Sequence, residues 1–338
     1  AAIVLAYLNY RYLLNGFMFD FHMEIFEPAC IFAAFLCLKK NFPVRYFVFL
    51  LLALACKEDV AIYMFVLGGY ACLIEKRWKL GIPTMFISVV WALIALKIVI
   101  PMSFPDGIQP SRFLVRWSQY GETYTQIAWN LLTHPGELFG KLLFKNLWKL
   151  LLPLGFAPLA SPVTFFLSLP PILLNVTSNY VMQIKFQAHY ALSVIPFLFI
   201  SLIFGIKNIC EKFPEKRQIV LTIFCVYILV VNVNVDPLIR SFRISKHDLT
   251  GHAIIKTIPG EVTISAQTNL IPHLPDSHQV SMLPNNLDSD YIFFDTQRSK
   301  WPMSGDEYQA ILQSFIDNKN YTLSFNKEGF CLFRKKTD

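Results

Sequence analysis

The sequence predicts a mainly α-helical, polytopic transmembrane bundle followed by a small extracytoplasmic α/β domain. Three observations carry that reading. Of 338 residues, 54% are hydrophobic and 16% are charged, whereas a soluble domain carries about a quarter of its residues as Asp, Glu, Lys and Arg. Apolar runs separated by short charged breaks fill residues 1–237, and residues 245–338 replace them with short β-rich runs between polar breaks. The charge changes at the same place: residues 1–245 hold 21 Lys and Arg against 12 Asp and Glu, and residues 246–338 hold 9 against 11. Disorder and a small disulfide scaffold are excluded by this composition. The basic residues cluster between apolar runs rather than along one face, so no nucleic-acid partner is expected.

The opening run, AAIVLAYLNY, has neither the basic segment nor the cleavage site of a signal peptide. It reads as the later part of a longer polypeptide, so the membrane domain is expected to be N-terminally truncated. About nine apolar runs follow one another, at 1–16, 25–38, 43–56, 60–74, 81–101, 139–156, 162–176, 188–206 and 218–235. Several are shorter than the ~20 residues that cross a bilayer core, which predicts tilted or cavity-lining helices around a polar cleft. Lys39 and Lys40, the stretch Glu75 to Lys79, and Lys207, Lys212, Lys216 and Arg217 make three basic connections. Positive loops face the cytoplasm, and the parity of the runs then places everything after about 237 outside. The seven cysteines form no CxxC pair and read as small core residues.

On this topology the polar breaks DFHME (Asp20 to Glu24), KED (Lys57 to Asp59) and QAHY (Gln187 to Tyr190), with the long connection 102–138, share the extracytoplasmic face. Charges wedged between apolar runs usually mark a site or a pathway. Asp20, His22 and Glu24 alternate, a pattern that suits a divalent cation or a general base for a sugar hydroxyl; the competing reading is a polar turn capping the next helix. Lys57 can neutralise a phosphate while Glu58 or Asp59 orients a donor, or all three can form a hairpin turn with internal charge pairing. His189, near Gln187 and Lys185, can bond a phosphate or serve as a polar tip. Arg112, Arg116, Trp117, Tyr120 and Tyr124 suit either a headgroup or pyrophosphate contact or a plain aromatic belt. Asn175-Val-Thr177 and Asn320-Tyr-Thr322 match a glycosylation pattern too frequent to carry weight.

In the tail, VTISA (262–266), QVSML (279–283), YIFFD (291–295), YTLSF (321–325) and FCLF (330–333) read as strands, and GDEYQAILQSFIDNK (305–319) as a helix with acids at its start. Asn326 to Gly329 turns the last hairpin. The tail has no phosphate-binding glycine motif and no metal-ligand spacing, so a role in binding or positioning is expected.

FDFHMEIFEPA (19–29), CKEDVAIYMFVLGGY (56–70), LLPLGFAPLASP (151–162) and AHYALSVIPFLF (188–199) together resemble, in this order, a family of bacterial polytopic membrane proteins catalogued as domain of unknown function 2079. That resemblance covers most of residues 1–235. It implies a relation to the glycosyltransferase C superfamily, multi-span enzymes that take a sugar from a polyprenyl-phosphate carrier at the outer face of the membrane. An acidic residue in the first extracytoplasmic loop acts there as base or metal ligand, and that loop would precede residue 1. The expectation is therefore a glycosyltransferase-like protein of the bacterial plasma (inner) membrane whose partners are membrane lipid and a polyprenyl-phosphate sugar. Asp20, His22, Glu58 and Asp59 are expected as catalytic residues, and Lys57, His189, Arg112 and Arg116 as phosphate-binding ones. Asp20 and Glu24 are expected to hold a divalent cation, Mg or Mn. The rival classes are a transporter or flippase of an amphiphile and a non-catalytic membrane scaffold.

Overall fold

The computed structural model describes residues 2–19, 21–102, 114–134, 136, 140–232 and 244–336, with the backbone alone for 141–145. Two compact units emerge, Ala1–Asn234 and Val235–Asp338.

The first unit is helical. Two short helices, α1 (Ala2–Leu8) and α2 (Arg11–Phe17), divide the first apolar run at Asn9 and the extended Tyr10. A hairpin of α3 (Glu27–Lys40) and α4 (Pro43–Cys56) follows. Asn41 closes α3 in the left-handed conformation, its N–H reaching the Cys37 and Leu38 carbonyls, and Pro43 supplies the fixed φ that starts α4. Lys57, fully extended at φ −163°, separates α4 from α5 (Val60–Leu73). Helix α6 (Trp78–Met102) packs against α5 at Gly81 and Gly68. A Cβ on Gly81 would collide with the Cys72 sulfur and the Gly68 carbonyl, so glycine is what permits this approach. Helices α7 (Tyr124–Thr133), α8 (Lys141–Leu151), α9 (Pro162–Val176), α10 (Ile195–Lys212) and α11 (Arg217–Asn232) complete the unit.

Two buried clusters hold the unit together. Tyr10, Leu13, Leu150, Leu154 and Phe199 belong to one, and Ile31, Tyr46, Leu54, Tyr63 and Phe197 to the other. Helix α10 serves both because successive residues of a helix point to different sides. Outer faces remain apolar: Phe86 and Leu93 of α6 and Ile223 and Val230 of α11 are exposed, as lipid contact requires. The seven cysteines are free.

Spans are where sequence and structure part. Among the described residues one helix, α6, is long and apolar enough to cross a bilayer unaided, with 25 residues, or about 37 Å at 1.5 Å per residue. Nine separate spans are not found. Helices α3, α4 and α5 have 14 residues each, about 21 Å against a hydrocarbon core of about 30 Å. The run 139–156 ends in a short 3₁₀ turn at Pro153, and the run 188–206 is broken by a 75° bend between Val181–Ala191 and α10. Proline and short polar breaks interrupt the backbone ladder even where composition stays apolar.

The second unit is a five-stranded mixed sheet with order β2-β1-β3-β5-β4, built from β1 (Thr263–Ala266), β2 (Gln279–Met282), β3 (Tyr291–Asp295), β4 (Tyr321–Lys327) and β5 (Phe330–Lys335). Strand β1 pairs in parallel with β2 and β3, and β5 runs antiparallel to both β3 and β4. Alternation along β3 feeds two cores: Phe293 joins Ile254 and Phe330, while Ile292 and Phe294 join Tyr308 and Phe315. One core is covered by α12 (Lys246–Ile255) and the other by α13 (Gly305–Ile316). Both helices start with capping boxes, at Ser245 with Asp248 and at Ser304 with Glu307. Glu328 and Gly329, both at positive φ, make the two-residue turn between β4 and β5.

Candidate functional site

The polar breaks of the first unit converge. Glu24 lies in the 3₁₀ turn Met23–Phe26, just before α3. Its Oε1 stands 3.2 Å from Lys57 Nζ and 3.8 Å from His189 Nε2, and its Oε2 stands 4.0 Å from His22 Nδ1. The His22 and His189 rings are 4.3 Å apart between centroids, and Phe19 stacks on His22. Lys57 also approaches Asp59 Oδ2 at 3.7 Å and sits over the Tyr190 ring. Tyr63, one turn into α5, donates its hydroxyl to Asp59 Oδ2 at 3.0 Å.

These polar side chains do not cap helices. Neither His22 before the 3₁₀ turn nor Asp59 before α5 makes a side-chain cap bond, whereas the internal charge pairing expected of a KED turn is present between Lys57 and Asp59. Burial by itself would raise the Glu24 pKa, but the Lys57 charge, a backbone hydrogen bond and His189 outweigh it and hold it below the usual carboxylate range. Burial likewise works to lower the Lys57 pKa, and Asp59 and Glu24 reverse it, leaving the ammonium firmly charged. Glu58 differs: burial and then the Asp59 charge raise its pKa above the ordinary value. It makes no ion pair among the described residues.

A cavity of about 500 Å³ opens beside this cluster. Lys57, Glu58, Asp59 and Arg116 form its polar end, and side chains such as Leu96, Ile100, Ile127, Leu131 and Leu173 its apolar remainder. Arg116 is placed by a clip between 115–119 and 177–179: the Trp117 indole donates to Thr177 Oγ1 at 3.0 Å, and the Asn179 N–H donates to the Arg116 carbonyl at 2.7 Å. Its guanidinium lies over both Tyr180 and Tyr190 and donates to Gln183 Oε1 at 3.3 Å. Asn175, one of the two glycosylation matches, is buried and donates to the Tyr190 carbonyl, a structural role.

The structure thus gathers His22, Glu24, Lys57, Asp59 and His189 around one point and sets Glu58 and Arg116 on the adjoining cavity. Asp20 and Arg112 lie outside the described residues. Sequence reasoning passed over Glu27, a fully buried carboxyl in α3 that accepts from Ser193 Oγ at 2.6 Å. Its signal was present: an acid inside an apolar run is costly and usually functional. Tyr190 gives no signal of its own in the sequence, although Lys57 and Arg116 both rest on its ring.

A family model described as predicted membrane protein (DUF2079) matches residues 1–332. The chain belongs to the DUF2079 family. The match spans both units, so the mixed-sheet unit is part of the family's common architecture as much as the helices. No curated protein and no solved structure matches the chain. Membership supports a membrane location for this DUF2079 protein and agrees with the apolar outer faces of α6 and α11.

His22, Glu24 and His189 also form a group whose ligand atoms all lie within 4.8 Å of one another, the one such group of three among the described residues. Two imidazoles and a carboxylate are a donor set for a divalent metal.

Proposed function

We propose that this protein is a membrane glycosyltransferase that takes a sugar from a polyprenyl-phosphate donor at the extracytoplasmic face. The observation that carries the reading is the cavity: an anionic head fits its Lys57 and Arg116 end, and an isoprenoid chain fits its leucine- and isoleucine-lined remainder. In the proposed reaction Glu58 takes the proton of the acceptor hydroxyl, the acceptor oxygen bonds to the anomeric carbon, and the lipid phosphate leaves with the bonding electrons. Lys57 and Arg116 stabilise the charge that grows on that phosphate, the term that usually contributes most to such a step. A carboxylate with a raised pKa is the better base near neutral pH.

Orientation follows the positive loops, which puts the site and the second unit outside the cell. An impermeant thiol reagent on intact cells should label a cysteine introduced at Ser304 and spare one at Lys212. The transferase reading is tested with full-length protein, a polyprenyl-phosphate sugar and detergent: transfer or release of sugar is expected from the wild type. Neither appearing, with Glu58→Gln and Lys57→Ala leaving the cellular phenotype intact, would sink it.

One observation favours a carrier of the same amphiphile. The 75° break before α10, beside His189, is the kind of discontinuous helix that carriers use at their binding sites. Carriers pair two such breaks across a repeat, and one is found among the described residues. Flux of a fluorescent polyprenyl phosphate across proteoliposomes in the absence of an acceptor separates the two readings.

A further inference from the structure

We infer that His22, Glu24 and His189 hold a first-row transition-metal dication. The convergence of the three ligand atoms, all within 4.8 Å of one another, points there. The ligand atoms stand 3.8 and 4.0 Å apart across Glu24, too far for hydrogen bonds yet only about half an ångström beyond the separation of about 3.3–3.4 Å that two ligands of one tetrahedral zinc have. Three groups that converge without bonding one another leave room for an ion between them.

The donor set decides the class of ion. Magnesium and calcium prefer oxygen ligands, whereas two imidazoles with one carboxylate suit zinc, manganese and their neighbours. The sequence expectation of Asp20 and Glu24 with magnesium or manganese is thereby narrowed to a mixed nitrogen and oxygen site for a borderline dication. Lys57 shares Glu24 Oε1 with this site, and the carboxylate turns Oε1 toward His189 and Oε2 toward His22. Three protein ligands leave a coordination position open. Only the use of that position, to bind the acceptor hydroxyl or the phosphate, rests on the transferase reading.

The test uses full-length protein in detergent, stripped with a chelator and then equilibrated with Zn²⁺, Mn²⁺ or Mg²⁺ before desalting and metal analysis. One zinc per chain should be retained and magnesium should wash out. Glu24→Gln and His189→Ala should each weaken zinc binding by more than about 100-fold, the upper end of what loss of even an outer-shell partner costs. A second pair of imidazoles, His252 and His273, lies with ring centroids 5.2 Å apart in the other unit, so the double variant His252→Ala/His273→Ala must keep its zinc. His189→Cys guards against misfolding: with Co²⁺ it should add a thiolate charge-transfer band, which a role in folding alone does not produce. Wild type that keeps no zinc, zinc unaffected by Glu24→Gln and His189→Ala, zinc lost with His252 and His273, or no thiolate band each overturns the inference. None of these readouts depends on sugar transfer, so a failed transferase assay leaves this result standing and the reverse also holds.

Discussion

Both units set a half-buried histidine against a buried carboxylate beside a cavity, and they do so to opposite effect. In the sheet unit, Asp295 receives His247 Nε2 on both oxygens at 3.1 Å, the Asn269 amide at 2.9 Å and the Gln297 N–H at 3.0 Å. His247 Nδ1 meets the Glu328 carbonyl at 2.8 Å, and the ring stacks on Phe330. The carboxylate is saturated, and one unpartnered atom, Asn269 Oδ1, remains beside it. In the helical unit, His189 and Glu24 stand 3.8 Å apart, and Glu27 Oε1, Asp59 Oδ1 and His189 Nδ1 are buried with no partner. The sheet unit even has a cleft of about 290 Å³ lined by His247, Asp295 and Arg298, so a cavity does not distinguish the two. Satisfaction does. A closed network ties α12 to β3 and to the β4–β5 turn, while an open one leaves chemistry to be completed by a ligand.

The largest expected effect tests the open network. Glu58→Gln should lower sugar transfer by about 10²–10⁴-fold, the usual contribution of a general base, without lowering the melting temperature of the helical unit, because it removes a half-buried carboxyl that has no ion pair among the described residues. A drop in both would make Glu58 a structural residue and erase the contrast. Asp295→Ala should do the reverse. It strands His247, Asn269 and the Gln297 N–H, so the sheet unit should lose about 3–5 kcal/mol, read as faster hydrogen exchange in β3 and β5. Transfer measured below the new unfolding midpoint should be unchanged. Ser245→Ala lies next: it opens the capping box of α12 and should cost about 1 kcal/mol, seen in the same amides and nowhere in the helical unit.

Much of this contrast was legible from sequence, unevenly. Strands β1 to β5 and α13 were readable because period-two and helical spacing were clean and turn residues punctuated them, and α4 was readable to the residue because Pro43 and Lys57 bound it. Helix α12 was missed although Ser245-Lys-His-Asp248 spells its capping box; its apolar residues Ile254 and Ile255 come late. His22, Glu24, Lys57, Asp59 and His189 were readable as a group since charge in an apolar chain is conspicuous. Their geometry was not. Nothing local states that Glu24 would be the hub, that Tyr190 would floor both cations, or that Glu27 would be drawn under them by Ser193, because all of these contacts except His22–Glu24 join residues more than 30 apart in sequence. The nine apolar runs do not appear as nine straight spans among the described residues for a related reason: hydropathy reports what a segment can be dissolved in, while proline and the 75° bend before α10 decide whether it is one straight helix.

The smallest effect concerns pH, and its sign follows from how the sheet unit binds its surface carboxylates. Asp290 accepts from the Thr263 N–H at 2.9 Å and from the Thr263 hydroxyl at 2.7 Å, which pins β1 to the start of β3, and those bonds hold its pKa below the ordinary aspartate value. A depressed carboxylate pKa means that the folded state binds its proton later than the unfolded chain, so the stabilisation is complete above the unfolded pKa of about 3.9 and disappears as pH falls through the folded one. Asp290→Asn should therefore be less stable than wild type at pH 6, measured by hydrogen exchange at Ile264 and Ser265, with the two converging as pH drops below about 4. Asp290 is largely solvent-exposed, so the gap should be smaller than that of Ser245→Ala and should shrink in high salt. A gap that widened in acid would mean that the aspartate acts through charge repulsion rather than through Thr263, and the sheet unit's networks would no longer count as closed by their own hydrogen bonds.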